Sequence, residues 1–150
     1  MDSIKIFGVR IHNTTLVEVT NLLREYLKGD KLSVVYTPNT EIVMAAKEDK
    51  DLKNLLNKAD LIIPDGIGLI YGSRIKKKPL KERVTGFDTS MKLLDIANEN
   101  SYSIFLLGGK DGVSKTAAEN IEKDYPNIKI AGYQHGYFKG SHLGLVDSEE

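Results

Sequence analysis

Apolar residues along the chain change period repeatedly, from alternation or short continuous runs to a three-to-four-residue recurrence, and each change predicts a new element. Ile4, Ile6, Val9 and Ile11 predict an opening extended pair that reverses around Gly8. Thr15 followed by Glu18 forms a capping-box pattern ahead of Leu16, Val19, Leu22, Leu23 and Leu27, a helix that Gly29 stops. Leu32 to Thr37 reads as a strand covered on both faces, and Pro38-Asn39 turns it into a helix carrying Ile42, Val43 and Ala46. Leu52, Leu55 and Leu56 mark a further helix, and Leu61 to Ile63 the next strand. A helix over Phe87 to Asn98, a strand over Ile104 to Leu107, a helix over Val113 to Lys123 and a strand over Ile128 to Ala131 complete the order. Strands alternating with helices predict an α/β, Rossmann-like fold: a mostly parallel sheet flanked by helices and joined by right-handed crossovers, preceded by the short N-terminal extended pair.

In such a sheet ligands bind beyond the carboxyl ends of the strands, where loops meet helix N-termini. Three stretches fall there: Thr37-Pro38-Asn39, Pro64-Asp65-Gly66-Ile67-Gly68 and Gly108-Gly109-Lys110-Asp111-Gly112. Each has a purely structural explanation as well as a functional one. Asn39 is a good helix cap, Asp65 a good cap or turn corner, and the loop after Leu107 a plain strand-to-helix turn. Functionally, Thr37 and Asn39 would place hydrogen-bonding groups on a pocket rim. Asp65 would be a carboxylate between glycines that let a ligand approach, and the loop at 108 would offer backbone N–H groups to a diphosphate. Gly66, Gly68 and Gly72 miss the dinucleotide-binding glycine spacing by one residue, and the later loop lacks the ending of a P-loop.

Composition narrows the classes. With 21 Lys and Arg against 21 Asp and Glu, the chain has no net pull towards nucleic acid. The absence of Cys excludes a disulfide scaffold, a thiol nucleophile and a cysteine metal site. His12, His135 and His142 lack metal-ligand spacing, so no metal is expected. No signal-like start and no apolar run of about 18 residues is present, so the expectation is an intracellular chain that does not span a membrane. The 150 residues suit one domain. Charge is nevertheless uneven: Arg74, Lys76, Lys77, Lys78, Lys81 and Arg83 crowd one segment opposed only by Glu82. That segment is either a solvated loop or a surface that attracts phosphate groups or an anionic membrane. Arg83 differs in leading into Val84-Thr85-Gly86-Phe87-Asp88, another turn into a helix. His135-Gly136-Tyr137-Phe138 offers an aromatic wall for a base or sugar, or an ordinary core pair.

Taken together, Thr37-Pro38-Asn39, Pro64-Asp65-Gly66-Ile67-Gly68, Arg83-Val84-Thr85-Gly86-x-Asp88, Leu107-Gly108-Gly109 and Gly136-Tyr137-Phe138 resemble, in order and rough spacing, the WecG/TagA/CpsF glycosyltransferase family. The likeness is greatest to its TagA type, of wall teichoic acid synthesis. It implies transfer of N-acetylmannosamine from its UDP donor to N-acetylglucosamine on undecaprenyl diphosphate, with inversion and without a cofactor or an obligatory metal. On the matching positions, Asp65 would be the general base, Thr37 and Asn39 would orient acceptor or sugar, and Arg83 would steady negative charge. Gly66, Gly68, Thr85 and Asp88 would contribute to substrate binding, Gly108 and Gly109 would face the diphosphate, and Tyr137 would flank the uridine. The partners implied are a UDP-sugar donor, a polyprenyl-diphosphate-linked acceptor and the inner face of the cytoplasmic membrane, touched peripherally, with a homo-oligomer allowed and no nucleic acid. Family chains are longer, and their later part carries a Gly-x-Pro-x-Gln-Glu-like motif and a basic tail. Residues 1–150 are therefore expected to be one catalytic α/β domain cut short, Val146 to Glu150 reading as the start of a further helix. Another sugar-nucleotide enzyme and a non-catalytic nucleotide-binding module remain as alternatives.

Overall fold

The computed structural model describes residues 1–137, so Phe138, His142 and the helix start expected at 146–150 lie outside the described residues. Contacts divide the chain into two compact units, Met1–Leu93 and the remainder from Leu94.

In the first unit, β1 (Ser3–Ile6) and β2 (Val9–His12) form an antiparallel hairpin with Ile6 opposite Val9. Its two-residue turn places Phe7 and Gly8 at φ of 49° and 86°, the positive angles that suit a tight hairpin. α1 (Leu16–Lys28) carries the expected capping box: Thr15 Oγ1 accepts from Glu18 N at 3.3 Å, and Glu18 Oε2 accepts from Thr15 N at 2.9 Å. β3 (Val35–Tyr36) pairs parallel with β4 (Leu61–Ile62), and between them run α2 (Thr40–Glu48) and α3 (Lys50–Asn57). α4 (Ile67–Ile75) follows β4, and α5 (Gly86–Asn100) begins in this unit and ends in the next. Ile6, Val9 and Ile11 of the hairpin pack with Val43, Ala46, Leu56, Ile62, Leu69 and Ile70 in one apolar cluster. Leu61, Ile62 and Ile63 are fully buried, the burial that a continuous apolar run anticipates.

The second unit contains β5 (Ser103–Leu107), α6 (Val113–Asp124) and β6 (Lys129–Gln134), with the two strands parallel and an irregularity between Ile104 and Phe105. The architecture is thus mixed α/β, with two short parallel pairs and one antiparallel pair.

Two expectations change. The strand foreseen over Leu32 to Thr37 contracts to Val35–Tyr36: Val34 O still accepts from Leu61 N at 3.2 Å, but Val34 N donates to the Asp60 carboxylate at 2.9 Å, and Leu32 is 83% exposed. The glycine-rich stretch after Asp65 becomes α4, which its low helix propensity conceals. Burial of Leu69, Ile70 and Ser73 supplies what propensity does not, and the Ser73 hydroxyl, donating to Ile70 O and accepting from Leu80 N, ties the helix to the following segment.

His12 joins the hairpin to the parallel pair. Ile62 N donates to its Nδ1 at 2.9 Å, which makes the ring the neutral tautomer protonated at Nε2. Burial lowers its pKa from the usual 6.5, and neighbouring Arg10 lowers it further; the Ile62 carbonyl, 3.3 Å from Nδ1, opposes both without prevailing. The folded state consequently resists a proton that the unfolded chain accepts. His12's contribution is complete above pH 6.5 and is lost as pH falls below it, at up to about 1.4 kcal/mol per pH unit. Substitution His12→Asn keeps an acceptor for Ile62 N and removes the titration. Urea melts between pH 6.5 and 5 are expected to lose stability in the parent and to do so much less in the variant; equal slopes would refute the assignment.

Candidate active site

The carboxyl end of β4 opens into Ile63-Pro64-Asp65, and a short turn, Asp65 N donating to Ile63 O at 3.1 Å, swings the Asp65 carboxylate out of the buried strand. Asp65 Oδ2 accepts from Gly86 N at 3.0 Å, at the first residue of α5. Arg83 Nε donates to the Asp65 backbone carbonyl at 2.8 Å, and Arg83 Nη2 lies 3.8 Å from Oδ1. One planar guanidinium thus addresses both the main chain and the side chain of the same residue. With 28% of its side chain exposed, Asp65 remains open to a ligand while its direction is set by α5 and Arg83.

Thr37, at the end of β3, reaches the same place. A Cβ added to Gly86 would meet Thr37 Oγ1 at 2.8 Å and Asp65 Oδ2 at 3.2 Å, so the hydroxyl and the carboxylate flank one glycine. Thr37 and Gly86 also border a cavity of about 680 Å³, walled in part by Leu23, Tyr26 and Leu93; Asp65 and Arg83 lie beside these two residues and do not themselves line it.

The other sequence candidates of this unit hold the scaffold together in visible ways. Asn39 caps α2, its Oδ1 accepting from Ile42 N at 2.9 Å; its amide nitrogen takes no part in that cap. Thr85 Oγ1 accepts from Asp88 N at 3.0 Å and donates to Asp88 Oδ2 at 2.6 Å, which caps the start of α5. Gly66 and Gly68 are required by Thr40: a Cβ on either would come within 2.6 Å or less of Thr40 Oγ1. Their lack of side chains brings the beginnings of α2 and α4 together, and Asp65 links both to the beginning of α5. Three helix N-termini therefore converge around Asp65, Thr37 and Arg83, and their exposed N–H dipoles favour a negatively charged ligand.

In the second unit, Gly108 and Gly109 follow β5 with φ of 128° and 72°, angles that favour glycine. Gly108 N donates to Gln134 O and Gly136 N to Gly109 O, both at 2.9 Å, so this loop is strapped to the segment that leads to Tyr137. The Tyr137 side chain is exposed, and its N–H donates to His135 Nδ1 at 3.2 Å. Gly112 is the N-cap of α6 and offers no side-chain cap; Val113 N donates to Lys110 O at 3.1 Å. Among the described residues no group of three or more His, Asp or Glu side chains is placed to hold a metal, and no helix is long and apolar enough to cross a membrane.

Sequence reasoning passed over Gly86 and Thr40 as site-building residues. Gly86 donates to the carboxylate, and Thr40 dictates two glycines. The only sequence signal for either was its place inside or beside a recognised motif.

The model of the family described as "Glycosyl transferase WecG/TagA/CpsF family" matches residues 4–148. An N-acetylglucosaminyldiphosphoundecaprenol N-acetyl-beta-D-mannosaminyltransferase of Bacillus subtilis (strain 168) is 37% identical over 138 residues, 91% of this chain and 54% of the relative. Proteins of the same name from Bacillus spizizenii and Staphylococcus aureus (strain MRSA252) are 36% and 32% identical, across 81% and 89% of this chain and 47% and 53% of theirs. The chain spans about half the length of the curated relatives it matches.

Proposed function

This chain belongs to the WecG/TagA/CpsF glycosyltransferase family, and on that premise we propose that it carries the catalytic centre of an inverting N-acetylmannosaminyltransferase. The donor is UDP-N-acetylmannosamine, the acceptor N-acetylglucosamine-diphospho-undecaprenol, and the product belongs to the linkage unit of a teichoic acid. The names of the relatives support the acceptor and the transferred sugar. The observation that carries the reaction type is the Asp65 carboxylate, held by Gly86 N and Arg83 at the mouth of β4 with Thr37 beside it.

In the proposed step an acceptor hydroxyl attacks the anomeric carbon from the face opposite UDP. Asp65 takes the hydroxyl proton as the new C–O bond forms, and the bond to UDP breaks with its electron pair leaving on the diphosphate. A single displacement of this kind needs one base and no protein nucleophile. Thr37 and the Asn39 amide orient the acceptor or the sugar, and Gly66, Gly68, Thr85 and Asp88 shape the rim. Arg83 and the converging helix N-termini oppose negative charge, so the step calls on no cofactor. Gly108 and Gly109 receive the nucleotide diphosphate on backbone amides, and Tyr137 flanks the uridine. Each parallel pair is of the kind from which a Rossmann-like sheet is built, and the enzyme works peripherally at the cytoplasmic face of the membrane, where a lipid-linked acceptor is found.

The test is transfer by the complete protein from UDP-N-acetylmannosamine to a short-chain lipid diphosphate bearing N-acetylglucosamine, with the new linkage examined by NMR. A disaccharide of configuration opposite to the donor is expected. Retention would exclude the single displacement, and absence of transfer from this donor would overturn the substrate assignment.

A further inference from the structure

The basic segment resolves into two parts. Lys81 is occupied, its Nζ 2.7 Å from Glu18 Oε1 and its N–H donating to Asn13, while Arg83 belongs to Asp65. Arg74, Lys76, Lys77 and Lys78 form no ion pair among the described residues, and residues 66–81 contain no acidic residue. Lys76 and Lys78 converge with Lys5 and Ser3 of β1 on a cavity of about 410 Å³. Three cationic side chains around one small cavity make a receptacle for a phosphate group.

Directly before these lysines, α4 exposes an apolar stripe. Ile67, Tyr71 and Ile75 recur every four residues, so they share one helix face, and they are 53%, 57% and 83% exposed while Leu69 and Ile70 on the other face are buried. Arg74 stacks near Tyr71, its guanidinium carbon 5.9 Å from the ring centroid. Exposed isoleucines bracketing a tyrosine and bordered by cations match the chemistry of the bilayer interface, where apolar side chains enter the headgroup layer and lysines meet lipid phosphates.

We propose that the exposed face of α4, with Lys5, Lys76, Lys77 and Lys78, is a docking surface for an anionic phospholipid bilayer. Free phosphate would account for the lysines and leave the isoleucines without a partner. A second copy of the chain, meeting this face with its own across a two-fold axis, would oppose four unpaired cations to four more. Position adds a consequence. α4 begins at Gly66, next to Asp65, and its nine residues span about 13 Å. Docking through α4 therefore holds the proposed base within a few helical turns of the headgroups, where the diphosphate of a lipid-linked acceptor emerges. Only that consequence rests on the proposed function; the docking surface stands without it.

The experiment is co-sedimentation of the complete protein, without substrates, with vesicles of phosphatidylcholine alone and with about one-third phosphatidylglycerol. Three variants accompany it: Tyr71→Ser with Ile75→Ser; Lys76, Lys77 and Lys78 each→Gln; and, as a charge-matched control, Lys28, Lys50 and Lys115 each→Gln. All these positions are exposed, and a thermal melt of each variant is to be run to check that it folds. Anionic vesicles are expected to bind the parent at least tenfold more tightly than neutral ones. The lysine triple variant is expected to lose about a hundredfold and most of the salt dependence, the stripe variant about tenfold or more, and the control less than threefold. Equal losses in the control and in the lysine variant would reduce the effect to net charge and overturn the surface. Unchanged binding in the stripe variant would do the same, as would a parent that self-associates through α4 and ignores vesicles. Transfer to a water-soluble acceptor, measured in parallel, tests the function separately, so either result can fail alone.

Discussion

Replacing Asp65 with Asn is expected to lower kcat for sugar transfer by about 10²- to 10⁴-fold, the usual range for removing a positioned general base. Asn preserves size and shape. Its amide oxygen can still accept from Gly86 N, as Oδ2 does at 3.0 Å, and Arg83 Nε still has the backbone carbonyl of residue 65. What the substitution removes is the capacity to take a proton. Donor affinity, measured by calorimetry with UDP, should therefore stay within about threefold of the parent, and the melting temperature should change little. Asp65→Ala should lose comparable activity and also slacken the start of α5, because Gly86 N loses its acceptor. An Asn variant that turns over within threefold of the parent would remove Asp65 from the chemistry and leave it as a helix-capping carboxylate.

The second large effect is expected at a residue with no side chain. Gly86→Ala adds a methyl group that would sit 2.8 Å from Thr37 Oγ1, 3.3 Å from Thr37 Cβ and 3.2 Å from Asp65 Oδ2. The backbone angle does not demand glycine at this position, and alanine is the better helix former, so helix propensity favours the substitution. The cost falls on the two neighbours, which must move apart by several tenths of an ångström. Displacement of reacting groups by about 1 Å can cost about 10²-fold in rate, so shifts of several tenths of an ångström are expected to cost roughly tenfold or more. The expected result is a loss of that order in kcat, with a melting temperature near that of the parent. Full activity would mean that the spacing between Thr37 and Asp65 does not govern the reaction, whereas unfolding would place Gly86 in the scaffold alone. Comparison with Asp65→Asn separates geometry from proton transfer: the alanine variant keeps the base and should keep the parent's pH profile at lower amplitude.

Much of the local structure was legible before any coordinates. The Thr15–Glu18 box, the turn at Gly8, the Asn39 cap and the buried Leu61 to Ile63 run each depend on residues within a few positions of one another. At that range, hydrogen-bond reach and side-chain periodicity follow from the order of residues alone. The same locality explains why Asp65 could be singled out as a carboxylate at a strand end but not recognised as a ligand of Gly86. Twenty-one positions separate that donor from its acceptor, and 18 separate Arg83 from the carbonyl it binds.

α4 shows the limit most clearly. Residue order predicted no element over Gly66 to Gly72, and low helix propensity offers no sign of one; the helix forms because Leu69 and Ile70 find the core and because Thr40, far back in the chain, fills the space two side chains would have taken. Likewise, six cations close together in sequence do not act alike. Glu18 on α1 claims Lys81 and the Asp65 loop claims Arg83, which leaves Arg74 and three lysines facing outward beside an apolar stripe. Residue order settled most of the elements, α4 excepted, together with the apolar faces and the motifs that mark the family, since these are written in near neighbours. Which carboxylate meets which amide, which glycine is indispensable and which charges remain free were decided by tertiary contact, because a hydrogen bond or a clash depends on distances that exist only once the chain has folded.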